Sequence, residues 1–296
     1  MLSMNEQQER AIERWLETNG TDHRLEYCVA KSPEWLQAIP NEVLPVVEAM
    51  MLRFEYYGQK RVNTALKMLF EKLREDYKLD TQKALYTYIP DSRGRINSSN
   101  DYWFEFRSIN NIPSQLCTDN ISRFAYWEYV KNVVIVDDFC GSGDTIKTYI
   151  MDSEVDFAGK TVYYVVVHEM EEAEEVIKQL ETHYKLKIVM VSLNTSPKFF
   201  KEGQEDSKLL FRDGMRKLDI KKDQLGYSNT EALVAFHNNT PNNTFPVFWK
   251  DTEKNVALFP RKIKIESPWS PKNFQGKKDK RRKQNYLAMK SVNVSG

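Results

Sequence analysis

Val133-Val134-Ile135-Val136-Asp137-Asp138-Phe139-Cys140-Gly141-Ser142-Gly143-Asp144-Thr145 is an apolar run that ends in two carboxylates and a glycine-flanked turn. Its four consecutive β-branched residues predict a strand buried on both faces, as in a parallel sheet covered by helices. The C-terminal end of such a strand opens on a ligand crevice. Gly141 to Thr145 supply a backbone free to take positive φ and to turn its N–H groups toward one point, just before a helix predicted to begin near Thr145. That is a cradle for an anion, most naturally a phosphate. Asp137 and Asp138 beside it would repel a bare phosphate and each other unless something compensates them. Sugar hydroxyls or a divalent metal would do so. The stretch therefore fits a ligand with a phosphate at one end and a diol, with Mg²⁺ nearby, at the other.

Other uses of such a stretch were weighed. A Walker-type loop needs a Gly-Lys-Ser/Thr ending, and none follows these glycines. A response-regulator receiver needs an Asp at the end of a later strand, whereas Leu186 to Leu193 is followed by Asn194-Thr195. A Gly-Ser-Gly turn also occurs without any ligand.

The run resembles the phosphoribosyl-pyrophosphate-binding motif of type I phosphoribosyltransferases: an apolar strand, two acidic residues, a short spacer and Thr/Ser-Gly-x-Thr, matched here by Ser142-Gly143-x-Thr145. The resemblance implies Asp137 and Asp138 as the catalytic pair, holding the ribose and, indirectly, Mg²⁺. It implies Gly141, Ser142, Gly143, Asp144 and Thr145 as the phosphate site. Asp144 departs from the family pattern, which more often has Gly or Lys there. Either its carboxylate turns outward as a helix-start residue, favoured by the helix dipole, or the site is altered.

Around this centre the chain of 296 residues is 12% aromatic and 29% charged, with a net charge of +1, an ordinary globular composition. Val43 to Leu52 contains Pro45 and Glu48 and is too short to span a bilayer, so no membrane association is expected. Met1 to Arg10 is polar, and Cys28, Cys117 and Cys140 are odd in number and widely spaced. These features point to a reducing, cytoplasmic setting without a disulfide framework. Residues 272–296 carry eight Lys/Arg and one Asp. That basic tail is either a solvated run or a contact for nucleic acid.

The segmentation expected is an N-terminal helical region (1–80), an α/β core (81–195), a hood region (196–271) and the tail (272–296). Residues 5–18 and about 34–77 carry helical spacing, with a break near Tyr57-Gly58-Gln59. Ala84 to Ile89, Thr161 to Val167 and Lys187 to Val191 are predicted strands, with an amphipathic helix before the last. Tyr102-Trp103-Phe104-Glu105-Phe106 alternates like another strand. Strand, helix and strand at these lengths predict a mostly parallel sheet with helices on both faces.

Between the first of these strands and Tyr102 lies a polar stretch, Ser92 to Asn100. Its Arg93 and Arg95 offer fork-shaped cationic donors and Ser98 and Ser99 add hydroxyls, a set suited to a diphosphate, or else to a solvated connector. The place of this loop resembles that of the pyrophosphate loop in type I phosphoribosyltransferases. His168 ends a strand that could border the crevice. Beyond residue 196 come a helix from about Glu205 to Lys217, a short strand at Ala232 to Phe236, and His237 to Trp249, dense in amides, prolines and aromatics. This last group suits either a base-binding rim or tight turns.

The combined pattern of helical N-terminus, Asp-Asp-Phe-x-Gly-Ser-Gly-x-Thr and late Asn-Thr-Pro-Asn-Asn-Thr segment resembles the phosphoribosyltransferase-like proteins of bacterial conflict (anti-phage) systems. That resemblance adds Asn239, Asn242 and Asn243 as base-side candidates and implies a defence role with a protein partner. Three functions remain in view. The first is transfer of a 5-phosphoribosyl group from phosphoribosyl pyrophosphate with release of pyrophosphate. The second is a catalytically silent sensor of a nucleotide or phosphoribosyl compound. The third is a nucleic-acid-associated module recruited by the tail. Homo-oligomerisation stays open.

Overall fold

A computed structural model describes residues 4–91 and 96–261. Its N-terminal layer holds three helices, α1 (Glu6–Asn19), α2 (His23–Ala38) and α3 (Leu44–Arg53). Asn5 and Gln8 start α1 through a reciprocal capping box. Asp22 starts α2 by accepting from the Leu25 N–H. Pro45 sits in the first turn of α3, where its missing N–H costs nothing. The break expected near Tyr57 is a strand, β1 (Glu55–Tyr57), leading into α4 (Gln59–Glu75).

The central part runs β2 (Ala84–Tyr88), α5 (Ser98–Ile109), β3 (Asn132–Cys140), α6 (Asp144–Asp152), β4 (Thr161–Met170), α7 (Ala173–Tyr184), β5 (Lys187–Val191) and β6 (Asn194–Ser196). Every pair in this sheet is parallel, in the order β2-β3-β4-β5, and β6 pairs with β4 as well. Side chains alternate across it. Val134, Val136, Val165 and Val167 pack with Leu66 and Leu69 of α4 and Phe106 of α5. Val133, Ile135, Val162 and Val166 pack with Ile146 and Ile150 of α6 and Ile177 and Leu180 of α7. Both faces are thus covered, the α/β architecture expected from the β-branched runs.

One expected strand is a helix. Tyr102 to Phe106 lies inside α5, where Tyr102, Trp103 and Phe106 are buried and Phe104 is exposed. Asn97 caps this helix by accepting from the Asn100 N–H at 3.0 Å, and the three-to-four spacing of buried positions overrides the local alternation. Between α5 and β3 the crossover consists of single 3₁₀ turns at Ser114–Leu116, Ile121–Arg123 and Trp127–Tyr129.

After β6 come α8 (Glu205–Lys217) and β7 (Val234–Phe236), which pairs in parallel with β1. Among the described residues, those up to Arg261 fold as one unit in which the first helices share a core with residues 200–259. Trp15, Trp35, Phe54, Phe211, Phe248 and Phe259 belong to one buried cluster. The Trp35 indole N–H donates to Val247 O at 3.0 Å, and Arg24 donates to Phe236 O and to Pro260 O. The N-terminal helices therefore form the bed on which the hood residues lie. No helix among the described residues is long and apolar enough to cross a membrane.

Candidate functional site

β3 carries Asp137 and Asp138 to the end of the sheet, where they are 4% and 8% exposed. Asp137 Oδ1 accepts from the Asp138 N–H at 2.9 Å and its Oδ2 from the Tyr164 hydroxyl at 3.0 Å. Asp138 Oδ1 accepts from the Ser98 hydroxyl at 3.1 Å. Burial, and then the neighbouring Asp138 charge, holds the Asp137 carboxyl well above the ordinary carboxylate range, and burial raises Asp138 as well. The pair therefore keeps a proton more readily than two solvated carboxylates do. This lowers the repulsion toward an incoming phosphate that the sequence alone suggests.

Directly after the pair the chain turns. Gly143 takes φ +81° as the N-cap of α6, and Asp144 is the first helical residue. Asp144 Oδ2 accepts from Ser142 Oγ at 2.9 Å and from Ser228 Oγ at 3.4 Å, and the residue borders a cavity. Gly141 to Thr145 all line that cavity, of about 660 Å³, bordered also by Asn120, Tyr149 and Tyr227. A second cavity of about 220 Å³ is lined by Asp137, Asp138, Ser98, Ser99, Asn239 and Arg261. Asn97, Phe139, Thr145, Asn242 and Asn243 border both, so the two adjoin.

The hood is docked on the cradle. A Cβ at Gly141 would lie 2.5 Å from Asn243 Nδ2, a group that donates to Thr230 Oγ1 at 2.9 Å. Gly226, at φ +81°, lets Asn243 O approach to where its own Cβ would stand at 1.9 Å. Tyr227 N–H donates to Asn242 O at 2.8 Å, completing the clasp. The 226–231 turn that makes these contacts holds Ser228, Asn229 and Glu231 at positive φ.

The sequence candidates are thus brought together for the most part. Asp137, Asp138, Ser98, Asn239, Asn242 and Asn243 border the smaller cavity, and Gly141 to Thr145 the larger. Ser99 is buried with its hydroxyl used internally, accepting from Ile89 N–H and donating to Val136 O. Arg93 and Arg95 lie outside the described residues, as does the basic tail. His168 lies in the core beside Tyr57, Nδ1 3.0 Å from the phenol oxygen, and burial lowers its pKa to about 4. Cys140 is buried, and burial raises its thiol pKa.

Outside the motif, the loop and the hood asparagines, Tyr164 borders the larger cavity and Arg261 the smaller. Tyr164 was recoverable, because it lies two residues from Val162 and Val166 on one face of β4. Arg261 had no local signal; it reaches the site only because the hood folds back.

Residues 34–269 match the PRTase-CE family. The chain belongs to that family. It is a phosphoribosyltransferase-like protein, and the acid pair followed by the glycine cradle falls within the matched region. Among solved structures, orotate phosphoribosyltransferase from Aeropyrum pernix is 17% identical, with a TM-score of 0.31 over 46% of this chain and 72% of that one. A hypothetical protein from Neisseria gonorrhoeae with bound ppGpp is 15% identical, with a TM-score of 0.28 over 54% of this chain and 98% of that one. At these scores neither likeness bears on the site. No curated protein matches the chain.

Among the described residues no group of three or more His, Cys, Asp and Glu could hold a metal. Two carboxylates without a third partner fit Mg²⁺ where ligand oxygens and water complete the shell, which is how Mg²⁺ is commonly bound beside phosphates.

Proposed function

We propose that the chain is a cytoplasmic phosphoribosyltransferase of the type I kind, binding phosphoribosyl pyrophosphate and passing its 5-phosphoribosyl group to a nitrogenous acceptor, in a bacterial defence system. The observation that carries the chemical part is the convergence of a buried acid pair, a helix-capping glycine cradle and the hood amides on two adjoining cavities. The defence part is supported by the resemblance of the motif and late segment alone.

In the reaction, the bond from the anomeric carbon to the diphosphate oxygen breaks and a bond to the acceptor nitrogen forms, through a transition state rich in positive charge at the sugar. The amides of residues 141–145 and the N-terminus of α6 anchor the 5-phosphate, a remote handle whose binding energy orients the reacting carbon. Asp138 accepts from the ribose hydroxyls, and the Asp137 carboxyl, fixed by Tyr164, orients the same diol. The negative charge that the pair retains favours the developing cation. Asp137 and Asp138, together with the ligand's own oxygens, would hold a Mg²⁺ ion, which would supply electrostatic stabilisation of the leaving diphosphate. Asn239, Asn242 and Asn243 supply amide donors and acceptors toward the acceptor base.

A sensor that binds without transfer is the second reading, favoured by Asn243 pressed onto Gly141 and by the Asp144 carboxylate at the cradle's edge. Calorimetry with phosphoribosyl pyrophosphate, with and without Mg²⁺, together with a pyrophosphate-release assay over a panel of nucleobases, separates the two. Binding lost in Asp138→Asn and accompanied by release supports transfer. Binding without release under any acceptor supports the sensor, and no binding at all removes both.

A further inference from the structure

We propose that Arg261 is the clamp for the anionic group carried on the anomeric carbon, gripping the diphosphate of phosphoribosyl pyrophosphate across the smaller cavity from the acid pair. The inference rests on the binding reading above and adds to it a residue outside the motif, the loop and the hood asparagines.

Arg261 is the only basic side chain among the described residues that border either cavity. A site built for a polyanion around two carboxylates needs cationic charge, and here is where the described chain supplies it. Its position is fixed from behind. Phe259 stacks on Phe54 and Tyr56 with ring centroids 4.9 and 5.2 Å apart. Phe259 N–H donates to Phe248 O at 2.7 Å, Thr240 Oγ1 donates to Phe259 O at 2.7 Å, and Arg24 donates to Pro260 O at 2.8 Å. The guanidinium itself lies 5.2 Å from the centre of the Trp249 ring, whose N–H is tied to Thr244 O at 2.7 Å. Stacking on an aromatic face leaves the donor fork of an arginine directed at other partners.

What the fork faces follows from the order of the ligand. With the 5-phosphate on the 141–145 amides and the diol on the acid pair, the smaller cavity receives whatever is bonded to the anomeric carbon. Its volume of about 220 Å³ suits a compact group, not a whole nucleotide. Burial lowers the pKa of the Arg261 guanidinium, and the charge of Asp138, which borders the same cavity, opposes that shift. A partly buried guanidinium is better compensated by an anionic substituent than by a neutral one. A diphosphate supplies that charge and offers paired oxygens in the geometry an arginine fork matches.

The test compares two ligands that differ only in that group, with Mg²⁺ present: phosphoribosyl pyrophosphate and ribose 5-phosphate. Arg261→Gln is expected to weaken the first by about 10- to 100-fold, the range for losing charged hydrogen bonds, and to leave the second within about twofold. Arg261→Lys should fall between, and serves alone should the glutamine variant not fold. Equal weakening of both ligands, or no weakening of the first, overturns the assignment while the binding reading stands. Wild-type protein that binds neither ligand removes the reading itself, and the clamp with it.

Discussion

Replacing Gly141 with alanine isolates the contact between cradle and hood. Gly141 does not have a positive φ, so alanine meets no backbone penalty there; the cost lies in what the new methyl touches. It would stand 2.5 Å from Asn243 Nδ2, 2.6 Å from Cγ and 2.9 Å from Oδ1, all inside any real carbon contact. Asn243 must rotate away and give up its 2.9 Å bond to Thr230. Overpacking costs about 1–3 kcal/mol and the lost bond about 1 kcal/mol, against about 0.4–1 kcal/mol regained from a less flexible unfolded chain. The net is about 1–4 kcal/mol, a fall in melting temperature of roughly 2–16 °C for a chain of this size. Differential scanning fluorimetry of Gly141→Ala in the wild-type and Asn243→Ala backgrounds closes the cycle. Removing the amide makes room for the methyl, so the second comparison should show no cost, a coupling of about 2 kcal/mol. Equal costs in the two backgrounds would refute the docking of Asn243 on the cradle.

Two further perturbations bear on the same turn. Gly143→Ala forces alanine to φ +81° against Val176, whose Cβ lies 3.0 Å from the new methyl, whereas Gly159→Ala meets φ +72° with nothing within 4 Å. Each should cost about 1–2 kcal/mol for the left-handed backbone, and Gly143→Ala more; thermal melts giving the reverse order would deny the packing of α7 on the cap. Asp137→Asn should stabilise the free protein at neutral pH. Because the folded-state pKa is raised, the folded protein keeps a proton that the unfolded chain loses above about pH 4. Wild-type stability is therefore fully present below the unfolded value and falls as pH rises through the folded one, while the amide does not titrate. The advantage of the variant should be absent near pH 3 and grow upward, as melts across pH would record; an advantage that shrinks with rising pH contradicts the burial of this carboxyl.

What could be read in advance was what is local. β3, β5 and α8 lie where β-branched runs and helical spacing put them, because a parallel strand covered on both faces has no polar alternation to blur it. α5 departs from its expected strand for the matching reason: its aromatics at Tyr102, Phe104 and Phe106 mimic a two-residue period, and only the Asn97 cap and the burial of Trp103 reveal the helix. The acid pair and cradle were legible as one unbroken motif. Their surroundings were not, since Trp35 reaches Val247 and Arg24 reaches Pro260 across more than two hundred residues, a pairing with no trace in either segment's own pattern. The hood asparagines mark the boundary between these cases. Sequence left them open as turn formers or ligand contacts, two roles that call for the same side chain. Asn243 bonds Thr230 through its side chain while bordering both cavities, and Asn242 gives its backbone carbonyl to the Tyr227 N–H while bordering the same two. A side chain that ties the hood down at the rim of a cavity must move or be met by whatever enters that cavity, so in the proposed binding reading turn chemistry and recognition become one interaction.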